Sequence, residues 1–384
     1  MHFDDGLLRE SYADDLLLMP LASSVKPEQR LLSLDVFRGA TILLMVLVNN
    51  AGGSISYRQL EHSAWNGWTL TDCVFPAFLW IVGVAITLSL GKRLRFGNSP
   101  RQLLPKIFRR TAILYVLGLL IYVYPTFSIS HQRLLGVLQR IAICYLIASV
   151  IFLYTSARTQ IVIIALLFAC YWMMMTLAPV PGYGAGDLSV EGNFAHYVDR
   201  IVLGTHNYAS TRTWDPEGIV STLPAIGTAL LGVMAGHVLR LDLPMAIRRN
   251  RLFLTGACLI AAGLIWNIWL PINKKVWTDS FATFMAGIDF VCLAALIWIV
   301  DEHHLGRYLK PFVITGMNAI AVYVASELLS EFLDATSLHS VIYTRFFAPV
   351  ASAANASLLW ALAFTALMYL ISYVMYRRGW FVRI

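Results

Sequence analysis

Charge is scarce in this chain. Lys, Arg, Asp and Glu make up 13% of its 384 residues while 58% are hydrophobic, and the mean hydropathy is +0.66. That balance excludes an ordinary soluble domain, in which about a quarter of the residues carry charge. Cysteine is also sparse and poorly spaced for chemistry. Cys73, Cys144, Cys170, Cys258 and Cys292 are odd in number and form no CxxC pair, which argues against a disulfide framework and against a thiolate metal site. Residues 1–29 lack a basic stretch followed by a small-residue cleavage site, so no cleaved signal peptide is expected. No internal repeat of the kind that builds secondary transporters is visible either.

What the chain has instead is a succession of apolar runs of about 20 residues, each long enough to cross a bilayer. They predict spans near 34–53, 70–91, 107–125, 134–154, 159–178, 218–239, 252–270, 281–300, 312–332 and 357–376. The expected fold is an all-α membrane protein, a polytopic bundle of about ten transmembrane helices. It comprises a cytoplasmic tail over 1–29 and one membrane domain over 30–384, with the first span serving as an uncleaved anchor. With the N-terminal end and every second loop in the cytoplasm, 21 of the 29 basic residues fall on that side and 8 on the other. The positive-inside rule therefore sets both termini in the cytoplasm. It also accounts for the net charge of +7 without nucleic acid as a partner.

This topology puts two polar segments outside: the loop 54–69, and the longest connection, 179–217, rich in Gly, aromatics and hydrogen-bonding residues and carrying His196 and His206. Such a composition suits either a polyhydroxylated ligand or an outer loop ordered on the membrane surface by its aromatics. In the first loop His62 precedes Asp72 by ten residues, with Asn49 and Asn50 shortly before. A carboxylate beside a histidine fixes its tautomer and supports its work as a general base, and an amide at the same level can donate to an oxyanion. A histidine in a polar loop can equally be a surface residue, and Asp72 after Thr69 and Thr71 can be a helix-capping carboxylate. Arg140, Asp289 and Glu327 fall inside spans and need partners or water there.

The segments RLLSLDVFRG (30–39), VNNAGG (48–53), EHSAWNGWTLTDCVFP (61–76), GVLQR (136–140), DPEG (215–218) through GVMAG (232–236), PINKKVW (271–277) and GMNAIAVY (316–323) resemble, in order, the heparan-α-glucosaminide N-acetyltransferase family. The resemblance implies a transmembrane acetyltransferase that takes acetyl from cytosolic acetyl-CoA and delivers it to an amino sugar. It makes His62 the catalytic histidine, Asn49 the active-site asparagine and Asp72 the aspartate that follows the histidine. Trp65, Asn66, Gln139, Arg140, Asp215, Glu217 and Asn318 become candidates for binding substrate or acetyl-CoA, with no metal. Arg38, Arg109 and Arg110, basic residues at the cytoplasmic ends, are candidates for the CoA phosphates, although positive-inside topology accounts for them equally well. The expectation is a bacterial-type homologue without the lumenal domain of the animal protein. It would sit in the inner membrane as a multi-pass protein, with a homodimer as the expected assembly, and act on an amino sugar or an envelope glycan. Transport of an amino sugar and O-acetylation of a polysaccharide are the alternatives.

Overall fold

The computed structural model describes residues 31–125, 127 and 131–382, so the tail expected over 1–29 lies outside the described residues. The described chain is nearly all helical. In order come α1 (Leu32–Asn49), α2 (Leu70–Arg95), α3 (Pro100–Val123), α4 (Val137–Tyr154), α5 (Ala157–Leu177), α6 (Phe194–Val202), α7 (Thr222–Leu239), α8 (Met245–Trp266), α9 (Asp279–Leu296), α10 (Lys310–Met317), α11 (Ala319–Ala335), α12 (Leu338–Ile342) and α13 (Ala353–Arg377). A two-stranded hairpin, β1 (Pro179–Val180) with β2 (Gly184–Ala185), opens the long connection.

Each of the ten expected spans falls on one of these helices or, for the ninth, on the pair α10 and α11. Among the described residues seven helices are long and apolar enough to cross a membrane, or eight if α10 and α11, bent by 69° at their junction, count as one broken span. The other two, α3 and α8, have 24 and 22 residues but carry basic side chains through their first halves, Arg101, Lys106, Arg109 and Arg110 in α3 and Arg248, Arg249 and Arg251 in α8. Such clusters suit a helix end at a membrane surface better than the hydrocarbon.

Burial separates centre from rim. In α2 and α7, 72% of the apolar window is buried, against 28% in α5 and α13. A helix apolar on all sides goes to the middle of a bundle, and α2 and α7 pack closely there. Their contact depends on paired glycines. A Cβ on Gly83 would lie 1.9 Å from the Ala229 carbonyl oxygen, and one on Gly232 would lie 2.0 Å from that of Trp80. Small residues are what let membrane helices approach backbone to backbone. The five cysteines lie unpaired on α2, α4, α5, α8 and α9, as small side chains in helix packing.

The connection between α5 and α7 folds into a cap. Tyr171, Met175, Ala195, Val220, Leu270 and Val276 form a buried apolar cluster, with Trp65 packed against it. The Tyr171 hydroxyl donates to the Val276 carbonyl at 2.7 Å. This cap gathers the loops 50–69, 178–221 and 267–278 at one end of the bundle, and those loops carry His62, Asn66, His196, His206, Asp215 and Glu217.

Candidate active site

The site is built around the start of α2. Thr69 and Asp72 form a capping box: the Asp72 side chain accepts from the Thr69 backbone N–H at 3.1 Å, and the Thr69 side chain meets the N–H three residues on. Both readings of Asp72 therefore hold together. Its Oδ2 also takes the Ser63 N–H at 3.0 Å, while its Oδ1 lies 2.7 Å from His62 Nδ1. Asp72 is buried, whereas the His62 side chain is half exposed. Since a carboxylate can only accept, Nδ1 carries the proton in this contact, and Nε2, with no hydrogen-bond partner among the described residues, is the ring's basic lone pair.

A second loop completes the surroundings. The segment between α8 and α9 is joined to the His62 loop by the Gly67 N–H on the Ile272 carbonyl at 2.7 Å, by Asn273 Nδ2 on Asn66 Oδ1 at 3.1 Å, and by Lys275 Nζ on the Ala64 carbonyl at 2.6 Å. These bonds hold Lys274 so that its Nζ lies 3.2 Å from His62 Nδ1 and 3.6 Å from Asp72 Oδ1. Burial pushes the Lys274 ammonium below the usual lysine range, against the pull of Asp72 and Glu217.

Asp215 and Glu217 belong to a separate, closed cluster. Arg133 grips Asp215 with both arms of its guanidinium, Nε to Oδ2 at 2.7 Å and a terminal nitrogen to Oδ1 at 2.5 Å, and also bonds Glu217 and the Tyr122 hydroxyl. The rings of Tyr208 and Tyr122 flank its cationic face at 4.5 and 4.9 Å. Burial raises the Glu217 carboxyl, but Arg133 outweighs it and holds the group below its usual range. Arg140, fully buried at the start of α4, donates to the Gly218 carbonyl and to Ser221, and lies 5.1 Å from the centre of the Trp277 ring.

The other expected site residues divide. Asn66 and Trp65 hold the His62 loop in place, Trp65 by donating to the Leu188 carbonyl at 3.0 Å and by edge contacts with His196 and Trp214. Asn49, at the end of α1, bonds Glu327 of α11 at 3.4 Å, not His62. Gln139 is buried against Gly118, its amide atoms without hydrogen-bond partners among the described residues. Asn318, at the bend between α10 and α11, clamps the chain end by donating to the Trp380 carbonyl and accepting from the Val382 N–H.

The histidines of the long connection serve structure. His196 stacks on Trp214 at 4.0 Å and its Nδ1 meets the Val190 carbonyl at 2.7 Å. Burial drives its pKa down to about 3 despite that bond. His206 likewise meets the Gln132 carbonyl. Asp199 knits the same region together by accepting the Asp215 and Ile219 N–H groups, although burial raises it to about 6. The aromatic residues of this connection are largely occupied with one another.

A cavity of about 310 Å³ lies along α2 beyond the site. Its walls are apolar side chains such as Phe78, Ile86, Leu138, Ile141 and Ile320, and Arg38 and Arg110 line it too. Arg110 lies 4.7 Å from the centre of the Tyr145 ring and keeps a buried Nε with no hydrogen-bond partner among the described residues. Arg109 is exposed and outside this lining. A narrow void of about 10 Å³ shares Phe78, Leu138, Ile141 and Ile320 with the cavity and ends at Tyr323, which is within electrostatic reach of Tyr122, Glu217 and Arg133. Phe78 is six residues from Asp72 on α2, about 9 Å of helical rise.

Sequence reasoning missed Lys274 and Arg133. Lys274 lay within the PINKKVW segment, yet nothing local distinguishes it from Lys275; Arg133 was an ordinary basic residue of an outer loop. Their partners are distant in sequence, 212 residues for Lys274 and His62 and 82 for Arg133 and Asp215.

Residues 30–264 match the family model described as heparan-alpha-glucosaminide N-acetyltransferase, catalytic. The chain is 31% identical over 444 residues to the heparan-alpha-glucosaminide N-acetyltransferase of Mus musculus and 31% identical over 450 residues to that of Homo sapiens. Each alignment covers 99% of this chain and 65% of the relative, so the chain spans about two thirds of the length of these curated relatives.

Proposed function

Since the chain belongs to the heparan-alpha-glucosaminide N-acetyltransferase family, we propose that it is a transmembrane acetyltransferase carrying acetyl from acetyl-CoA to an amino sugar or envelope glycan across the membrane. The observation that supports this most is the His62–Asp72 pair at one end of a bundle whose interior holds a cavity lined by Arg38 and Arg110. A nucleotide bearing phosphates does not cross about 30 Å of hydrocarbon. The seam along α2 lets it stay behind: guanidiniums take the phosphates with charge-assisted bonds, and the apolar walls take the flexible arm that presents the thioester towards His62. The basic-residue distribution puts the donor in the cytoplasm and His62 outside.

Direct transfer uses the fewest groups. Asp72 accepts the Nδ1 proton of His62 and fixes the ring, and Nε2 takes a proton from the acceptor amine as its nitrogen attacks the thioester carbonyl. The N–C bond forms, the C–S bond breaks, and the proton held on Nε2 passes to the departing thiolate, leaving an amide and free CoA. The Asn49 amide donates to Glu327 at 3.4 Å, so a part for it as an oxyanion donor requires the amide to turn when substrate binds. The transferase domain in this reading is residues 30–384, in the inner membrane, and a homodimer is compatible with the chemistry without being needed for it.

Purified protein incubated with acetyl-CoA and glucosamine should form N-acetylglucosamine and free thiol. Uptake of labelled glucosamine into proteoliposomes without acetyl-CoA, and with no acetylated product, would replace this reading with transport. Rapid quench with acetyl-CoA alone should leave His62 unmodified, and an acetylated ring would mean a covalent relay.

A further inference from the structure

Asp72 has two oxygens, and only one is free to share its charge. Oδ2 is taken up by the Ser63 and Thr69 backbone N–H groups. Oδ1 is approached from two sides, by His62 Nδ1 at 2.7 Å and by Lys274 Nζ at 3.6 Å, and the two nitrogens are themselves 3.2 Å apart. Both are donors, so they compete for one oxygen. Lys274 is no loose surface lysine. Its loop is joined to the His62 loop through Gly67, Asn66 and Ala64, and its side chain is 16% exposed.

We propose that Lys274 is a positioning residue that limits the basicity of His62 by sharing Asp72 Oδ1, so that the imidazole gives up its proton in every turnover. An isolated Asp–His pair holds the imidazolium tightly, because the full negative charge faces it. An ammonium beside the same oxygen neutralises part of that charge and repels the imidazolium that forms. The ring can still accept a proton from the attacking amine, and it then becomes a better acid towards the departing thiolate. The titratable groups around the pair are Asp72 and Cys73 of α2, Lys274 and Lys275 of the α8–α9 loop, and Glu217 of the α5–α7 connection. Glu217, within electrostatic reach of Lys274, helps keep the lysine charged so close to a histidine.

The consequence for turnover rests on the acetyl-transfer reading, but the effect on the ring does not, and the experiment separates them. The His62 Cε1–H resonance is followed against pH in detergent-solubilised wild type, Lys274→Met, Lys274→Gln and Lys274→Arg, with His62→Asn identifying the signal. The midpoint is expected to rise by about one pH unit or more in both neutral variants, the scale set by one close charge, and to stay within a few tenths in the arginine variant. The acid limb of kcat/KM for acetyl transfer to glucosamine should move with it. An unchanged midpoint in both neutral variants overturns the assignment, whatever their activity. A shifted midpoint in a protein that acetylates no amine upholds the role of Lys274 and overturns the acetyl-transfer reading.

Discussion

Two charged clusters lie at the same end of the bundle, and they are organised in opposite ways. Arg133 is saturated: it grips Asp215 twice, bonds Glu217 and Tyr122, and is flanked by two half-buried tyrosine rings, with the three charged groups themselves buried. The cluster of His62, Asp72 and Lys274 is half open, with the carboxylate saturated, the imidazole half exposed and one ring nitrogen unengaged. A closed ion cluster fixes the path of the chain and has no lone pair to spend on a substrate. An open one held by a closed neighbour can do chemistry, because its free atom is positioned without being used. The Arg133 cluster anchors the 178–221 connection, and that connection packs on the His62 loop through Trp65.

If the two clusters have these separate roles, substitutions in them should fail differently. His62→Ala should lower acetyl transfer by about 10²- to 10⁴-fold, the range for losing a general base, with thermal unfolding and acetyl-CoA binding unchanged. Arg133→Met should do the reverse. It strands two buried carboxylates at a cost of about 3 to 5 kcal/mol, to be read as loss of monodisperse protein or a marked fall in Tm before any kinetic effect.

A third contrast is in pH. Burial lowers His196 from 6.5 to about 3, so between those values the unfolded chain binds more protons than the native one, and stability falls as pH falls. The loss at the acid end is roughly 5 kcal/mol at most. It should appear as a Tm that declines with acidity in wild type and declines less in His196→Phe, which keeps the stack on Trp214. Smaller still, and confined to the donor, Arg110→Ala should raise the KM for acetyl-CoA by about tenfold, the effect of one charge-assisted hydrogen bond, with kcat little changed.

The spans were legible because hydrophobic length is a local property: each expected one falls on helix, and among the described residues seven helices, or eight with the bent pair, are long and apolar enough to cross a membrane. The His62–Asp72 pair was legible for the same reason, ten residues apart in one loop and helix start. What could not be read was whatever long-range packing decides. Lys274 comes to His62 from a loop more than two hundred residues on, and nothing in PINKKVW says which lysine turns inward. Asp215 and Glu217 were picked out as binding residues, and the Arg133 that bonds them both lies 82 residues from Asp215 in sequence. The composition of the long connection suited either a polyhydroxylated ligand or a loop ordered by its own aromatics, and only the fold shows that His196 and Trp214 stack there with Trp65 of the His62 loop against them. Composition shows which groups are available and leaves open which are already engaged.

The central claim, that one seam joins a donor at the Arg38 and Arg110 cavity to an acceptor at His62, is tested most directly by sidedness. Sealed proteoliposomes of uniform orientation are given acetyl-labelled acetyl-CoA on the side of the basic loops only and glucosamine on the opposite side only. The account predicts labelled N-acetylglucosamine on the acceptor side and free CoA on the donor side, both abolished by His62→Ala. Product that forms only when the two substrates share a side would contradict it.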